Sequence, residues 1–309
     1  MDIIGIIMAA GKASVDVALY TLIPVMVVML IIMKYLEARG ILDRIVALLS
    51  PLLKPFGITG LGIFALIQLN FVSFAAPLAA LAIMEKRGTS DRHLAATLAM
   101  LFAMGQGNVF YPLIPFGLQW GAAIGISVAG GLAASAVTWY LSGRRLSVRS
   151  LLPETMPVED KSSSGAIAII NGAGSDAIRL SLGSVPMLIL SLTIVGILKE
   201  AGAIDLLTRL ISPLLAAVSI SDVYVLPALT KCLAGGTAYF GVASDLLQRG
   251  LLTPQQINAS AGFMVQTLDL PGIGIYLGIA SRFVRLFRFA LPGALIGIAL
   301  RSVLHALLF

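Results

Sequence analysis

The sequence predicts an all-α integral membrane protein built from two inverted-topology repeats, and three observations lead there. The first is composition. Of 309 residues, 58% are hydrophobic and 12% charged, with a mean hydropathy of +0.98, whereas a soluble domain carries about 25% charged residues. The second is a duplication. Residues 24–58 and 186–220 align without a gap: Pro24 with Pro186, Gly40 with Gly202, Asp43 with Asp205, and Ser50-Pro51-Leu52-Leu53 with Ser212-Pro213-Leu214-Leu215. All share one offset, 213 − 51 = 162. The third is the distribution of basic residues, which selects between topologies.

Each repeat reads as the same five elements. The first repeat has a spanning helix (16–38), an interfacial amphipathic segment (41–55), a polar-centred stretch (58–84), an interrupted helix (92–116) and a final spanning helix (119–141). The second gives 178–200, 203–217, 222–247, 254–279 and 284–308. Apolar runs such as Ala18–Met33, Ala122–Leu141 and Phe289–Leu308, with their flanks, suit the ~20 residues a helix needs to cross ~30 Å of hydrocarbon. The alternation expected of a membrane barrel is absent. The N-terminal MDIIGIIMAAGK opens with an acid and lacks a basic flank, so it reads as an interfacial segment rather than a signal peptide, with Gly165–Gly174 as its counterpart. Leu151–Asp176, rich in Pro, Ser and charge, reads as a linker. The domain expectation is therefore 1–150, a cytoplasmic linker 151–176, and 177–309.

If 58–84 is a re-entrant hairpin, each repeat crosses three times and the halves are inverted. With the linker cytoplasmic, only Lys12, Lys199, Arg209, Arg249 and Arg301 fall outside. Lys231 is unassigned and 21 − 5 − 1 = 15 basic residues lie inside. If 58–84 simply crosses, the halves become parallel and the split falls to 11 against 9. Basic residues favour cytoplasmic loops, so inversion wins. An arrangement in which 41–55 also crosses is inverted too, and the sequence does not separate it. The same rule accounts for the +6 net charge without nucleic acid.

Polar residues at hydrocarbon depth mark the candidate site. The third element carries Gln68, Asn70 and Ser73 in repeat one, and Thr230, Lys231, Cys232, Gly235-Gly236 and Thr237 in repeat two. The fourth carries Met104-Gly105-Gln106-Gly107-Asn108 with Pro112 and Pro115, and Gln266-Thr267-Leu268-Asp269-Leu270-Pro271-Gly272. Backbone that leaves the helix at this depth survives only beside a cavity or inside protein. Broken segments at matching positions of two halves point to a solute site. The expectation is that Gln68, Asn70, Ser73, Gln106 and Asn108 converge with Thr230, Lys231, Thr237, Gln266 and Asp269 around one central cavity. Lys231 costs roughly 2.5–3.5 kcal/mol at mid-bilayer. It therefore contacts an anionic solute group or a charge relay, pairs with Asp269, or snorkels to the surface. Cys232, the single cysteine, reads as a small buried hydrophobe and excludes an intrachain disulfide and a cysteine-based metal site. His93 reads as a loop residue at a helix start, and His305 similarly. Gly117/Gly121/Gly125, Gly274/Gly278 and Gly293/Gly297 form small-xxx-small rows, expected to pack within one protomer. No Walker A, G-x-S-x-G, H-E-x-x-H or C-x-x-C motif occurs, so no enzyme is indicated.

The repeat, its polar tips and its broken fourth element resemble the nucleoside recognition (Gate) domain family. That family resembles the inner repeats of concentrative nucleoside transporters, the membrane gates of ferrous iron transporter B, and spore maturation proteins A and B. The resemblance covers two Gate-like units, about 10–141 and 172–309. It implies an inverted-repeat fold whose hairpin tips, Gln68–Phe74 and Thr230–Thr237, meet near the midplane. One departure is plain. The nucleoside transporters present a glutamate beside glutamine and threonine at a tip, whereas Glu37, Glu85, Glu154, Glu159 and Glu200 all lie near helix ends or in the linker. The resemblance therefore does not by itself imply nucleoside specificity or sodium coupling. The functional expectation is a multi-pass secondary transporter of a small polar solute, anionic or zwitterionic, in a prokaryotic cytoplasmic (inner) membrane. No cofactor, metal or nucleic acid is expected. The coupling ion, sodium or proton, and any homo-oligomer are left open. The alternative is a non-transporting scaffold or a subunit of an envelope complex.

Overall fold

The computed structural model describes residues 2–150, 165–217 and 221–309. Fourteen α-helices run through them. The first half contains α1 (Ile3–Val17), α2 (Ile23–Ala38), α3 (Ile41–Leu53), α4 (Gly60–Phe71), α5 (Leu78–Lys86), α6 (Asp91–Ala103), α7 (Gly107–Leu113) and α8 (Trp120–Val137). The second contains α9 (Ala166–Glu200), α10 (Ala203–Ala217), α11 (Val225–Gln248), α12 (Pro254–Met264), α13 (Leu270–Leu277) and α14 (Ser281–Leu308). No strand occurs among the described residues; one isolated antiparallel bridge joins Gly105 to Gln266. Four helical stretches, Ile3–Ala38, Trp120–Ser142, Ala166–Glu200 and Ser281–Leu308, are long and apolar enough to cross a bilayer. This is a multi-pass membrane protein.

The five-element pattern recurs at the offset of 162. α3 answers α10, α4 and α5 answer the two arms of α11, α6 answers α12, α7 answers α13, and α8 answers α14. The third element is a helical hairpin in both halves. α4 ends at Phe71 and α5 starts at Leu78; α11 breaks at Gly235, whose φ of 85° is a left-handed value open to glycine at little cost.

Two expectations change. The N-terminal segment is not separate: α1 joins α2 through a π-turn at Ala18–Leu22. The wider turn precedes Pro24, whose ring would clash with a carbonyl one regular turn back. Of the expected linker, 151–164 lie outside the described residues, while Ala166–Asp176 already form the first turns of α9. The apolar run Ala166-Ile167-Ala168-Ile169-Ile170 starts that helix. Packing on α1 and α2, with a Lys34–Asp176 ion pair, holds it despite its glycines.

α6, α8, α12 and α14 form the centre. α6 is buried on every side from Leu94 to Ala103, as expected of a helix apolar all round. α8 and α14 run antiparallel. Ser142 Oγ donates to Phe289 O (2.6 Å) at one end, and Gly130 meets Arg301 at the other. Arg92 on α6 donates to Trp139 O (2.9 Å), and Arg282 on α14 pairs with Asp91 (2.7 Å) and Glu85 (3.0 Å). At the opposite end Asn258 on α12 accepts from Gln119 N (2.8 Å), and Gln255 donates to Phe309 O (2.9 Å). So α6 starts where α8 finishes, and α12 starts where α8 starts.

The α8–α14 contact depends on missing side chains. A Cβ on Gly297 would lie 2.4 Å from Gly130 O, and one on Gly293 would lie 2.4 Å from Ala134 O. The Gly293/Gly297 row therefore packs within the protomer as expected, whereas Gly121, Gly125 and Gly274 face open space. Gly297→Val should lower the thermal unfolding midpoint in detergent, by overpacking worth at least about 1–3 kcal/mol. Gly125→Val, with nothing to meet, should leave that midpoint nearly unchanged.

Candidate functional site

Each half has a helix that breaks inside the protein, and the two breaks cross. α6 stops at Ala103 and α7 restarts at Gly107; α12 stops at Met264 and α13 restarts at Leu270. At the crossing, Thr267 N donates to Phe102 O (3.1 Å), Thr267 Oγ1 to Met104 O (2.9 Å) and Arg301 to Ala103 O (2.5 Å). The last carbonyls of α6 are thus satisfied by the second half. In return Gln106 Nε2 donates to Gln266 O (3.1 Å) and lies 3.4 Å from Asp269 Oδ2.

Asp269 is the hub. It is the N-cap of α13, and its Oδ1 accepts from Gly272 N (2.7 Å), placing a carboxylate at the positive end of the helix. Its Oδ2 receives Lys231. Lys231 is 0% exposed and Asp269 3%, so of the three readings of Lys231 the pair with Asp269 is the one formed, and snorkelling is not.

The hairpin tips meet at the same place. Asn108, just inside α7, accepts from Phe74 N (3.3 Å) at tip one and donates to Thr237 Oγ1 (3.2 Å) at tip two. Tyr276 OH donates to Phe74 O (2.8 Å), so both backbone groups of Phe74 are held. Gly107 lets α7 press on tip one, since a Cβ there would sit 2.7 Å from Asn70 O. Gly236 leaves room for Gln106, whose Oε1 would lie 2.7 Å from a Cβ at that position.

A cavity of about 40 Å³ lies between the tips and the breaks, room for about two or three water-sized groups. Gln106, Thr237 and Asp269 line it together with Gly235, Gly236 and Pro271, and Phe74, Ala234 and Leu188 of α9 close it. Gln106 Oε1 is buried without a hydrogen-bond partner among the described residues.

Six of the ten expected residues thus come together: Gln106, Asn108, Lys231, Thr237, Gln266 and Asp269. The other four stand apart from the cavity wall. Thr230 donates back to Leu226 O (2.9 Å) within its own helix. Asn70 donates to Leu66 O (3.0 Å) and accepts from Ser127 Oγ (3.0 Å), which in turn accepts from Gly105 N (2.8 Å); it supports the break instead of facing the cavity. Ser73 is buried at tip one, and Gln68 is half-buried on α4. Cys232 is exposed, not buried, because it neighbours Lys231 on α11 and that residue takes the inward face. Arg301 is 0% exposed, because its stem packs over Gly130 and its guanidinium donates to Ala103 O. Ser127, Tyr276 and Arg301 escaped the sequence reading although each is a polar residue inside an apolar span; Leu188 gives no such signal.

Residues 19–127 match the Gate family, described as nucleoside recognition. Solved structures similar to the whole chain include those of CNTnw, a concentrative nucleoside transporter. A double variant of CNTnw in an outward-facing state matches at TM-score 0.67 and 17% identity, over 93% of this chain and 76% of that chain. CNTnw in an inward-facing substrate-bound state matches at TM-score 0.64 and 17% identity, over 92% and 73%. No curated protein sequence matches the chain. The Gate match lies within the first half, and the structural likeness extends the shared fold across both.

The ion pair should govern stability. Lys231→Met alone should cost about 3–5 kcal/mol by stranding a buried carboxylate. Adding Asp269→Asn should recover much of the loss, because asparagine still caps a helix. Thermal unfolding of the purified single and double variants checks this.

Proposed function

We propose that this protein is a secondary transporter of a small polar solute, anionic or zwitterionic, bound midway across a prokaryotic cytoplasmic membrane between two inverted repeats. The observation that carries the reading is the cavity at the crossing of the two breaks, where Gln106, Thr237 and Asp269 from both halves present polar atoms to a space inside the fold. Helix ends and amides aimed at a midplane space suit reversible solute binding. Inversion is supported by the opposed directions of α6 and α12 and of α8 and α14, together with the basic-residue bias. Movement of one repeat against the other would open the cavity to each side in turn.

The burial of Lys231 against Asp269 favours a second reading, a scaffold that never opens. The two part in a labelling experiment. In a Cys232→Ser background, Ala234→Cys on the cavity wall should react with a membrane-impermeant thiol reagent from either side of sealed vesicles. Silence from both sides would support the scaffold. Orientation is checked alongside: Arg145→Cys should label from the cytoplasmic side and Leu308→Cys from the other. Labelling from one common side would exclude the inverted arrangement.

A further inference from the structure

The transport reading leaves the solute's chemistry open, and the buried ion pair narrows it. Lys231 and Asp269 are sealed from solvent and satisfy each other. Whatever enters must not leave one of them alone, because an unpaired buried charge is far more costly than a paired one. A simple anion drawn to Lys231 would strand Asp269. A simple cation drawn to Asp269 would strand Lys231. A neutral solute would leave the pair closed and find few free polar groups.

The unspent groups around the pair are of both kinds. On the acceptor side, Asp269 forms part of the cavity wall, and Gln106 Oε1, unpartnered among the described residues, sits over Gly236 at tip two. On the donor side, Thr237 Oγ1 accepts from Asn108, which leaves its own proton to give. Behind them stands the Lys231 ammonium, one helical turn before the Gly235 break in the same hairpin.

Resting on the transport reading, we infer that the solute is a compact zwitterion that inserts into the Lys231–Asp269 pair. Its ammonium replaces Lys231 on Asp269 and Gln106 Oε1, and its carboxylate takes up the released Lys231 with Thr237. Every charge keeps a partner before, during and after entry. When the site is empty, Lys231 stands in for the solute's ammonium. Release of the pair also removes the ionic tie between hairpin two and α13, so binding and hairpin movement become coupled. No covalent step is involved. The cavity of about 40 Å³ leaves little room beyond the two charged groups themselves, which favours the smallest zwitterions.

The test is thermal unfolding of the purified full chain with glycine, β-alanine or γ-aminobutyrate, against methylamine, acetate and uridine. At least one zwitterion should raise the melting temperature saturably. Methylamine and acetate should not. Zwitterions also stabilise proteins non-specifically as osmolytes, so the Lys231→Met/Asp269→Asn variant supplies the baseline and should lose the saturable shift. A second measurement needs no such variant: the effective zwitterion, and not acetate or methylamine, should slow labelling of Ala234→Cys in the Cys232→Ser background. The inference is overturned by an equal response to acetate or methylamine, by a uridine response without a zwitterion response, by a saturable shift that survives in the double variant, or by no response to any zwitterion. In each of these cases two-sided labelling of Ala234→Cys would keep the transport reading, whereas silence from both sides removes both.

Discussion

Hydrocarbon offers no hydrogen bonds, so a helix that breaks inside a membrane protein must find partners for the ends it exposes, each worth several kcal/mol if left alone. The organisation of this protein follows from that requirement. The carbonyls of Phe102, Ala103 and Met104 are met by Thr267 and Arg301 from the other half, and the Gly105 N–H is met by Ser127. Neither half can therefore complete its own break. The crossing of the two is a condition for burying either, and it brings Gln106 to Asp269.

Charge is placed by the same logic. α6 ends with its negative pole inside the fold, and the Arg301 guanidinium lies there; α13 begins with its positive pole inside, and Asp269 caps it. The Asp269 carboxylate then requires a cation, which Lys231 supplies. The glycines set how closely these groups approach. Gly130 makes way for the Arg301 stem, Gly107 for the backbone of tip one, and Gly236 for the Gln106 amide. Each is a place where a methyl group would displace part of the polar network.

The duplicated halves have diverged where they meet. At the offset of 162, Lys231 answers Leu69, Asp269 answers Gly107, Leu268 answers Gln106 and Cys232 answers Asn70. Tip one is held at both backbone groups of Phe74. Tip two turns at Gly235 beside the cavity, is joined to α13 through the Lys231–Asp269 ion pair, and receives Asn108 of α7 at Thr237. The duplicated sequence thus builds an asymmetric site, with one tip held at its backbone and the other through side chains and a charge pair.

Local chemistry determined most of the fold in advance. Apolar runs of spanning length, the offset of 162, the Pro and Gly interruptions and the polar tips are properties of neighbouring residues, and they located the hairpins, both breaks, and the residues Gln106, Asn108, Lys231, Thr237, Gln266 and Asp269. The continuity of α1 with α2 and the early start of α9 were hidden, because Gly and Asn weaken a helix locally while packing against other helices restores it. Only the tertiary structure decided which polar groups spend their hydrogen bonds at home. Thr230 returns to its own helix and Asn70 turns to Ser127. Arg301 caps a helix nearly two hundred residues away in sequence, at Ala103. Whether a side chain at membrane depth serves its own backbone, another helix or a cavity depends on which face packing turns inward, and that is a property of the assembled chain.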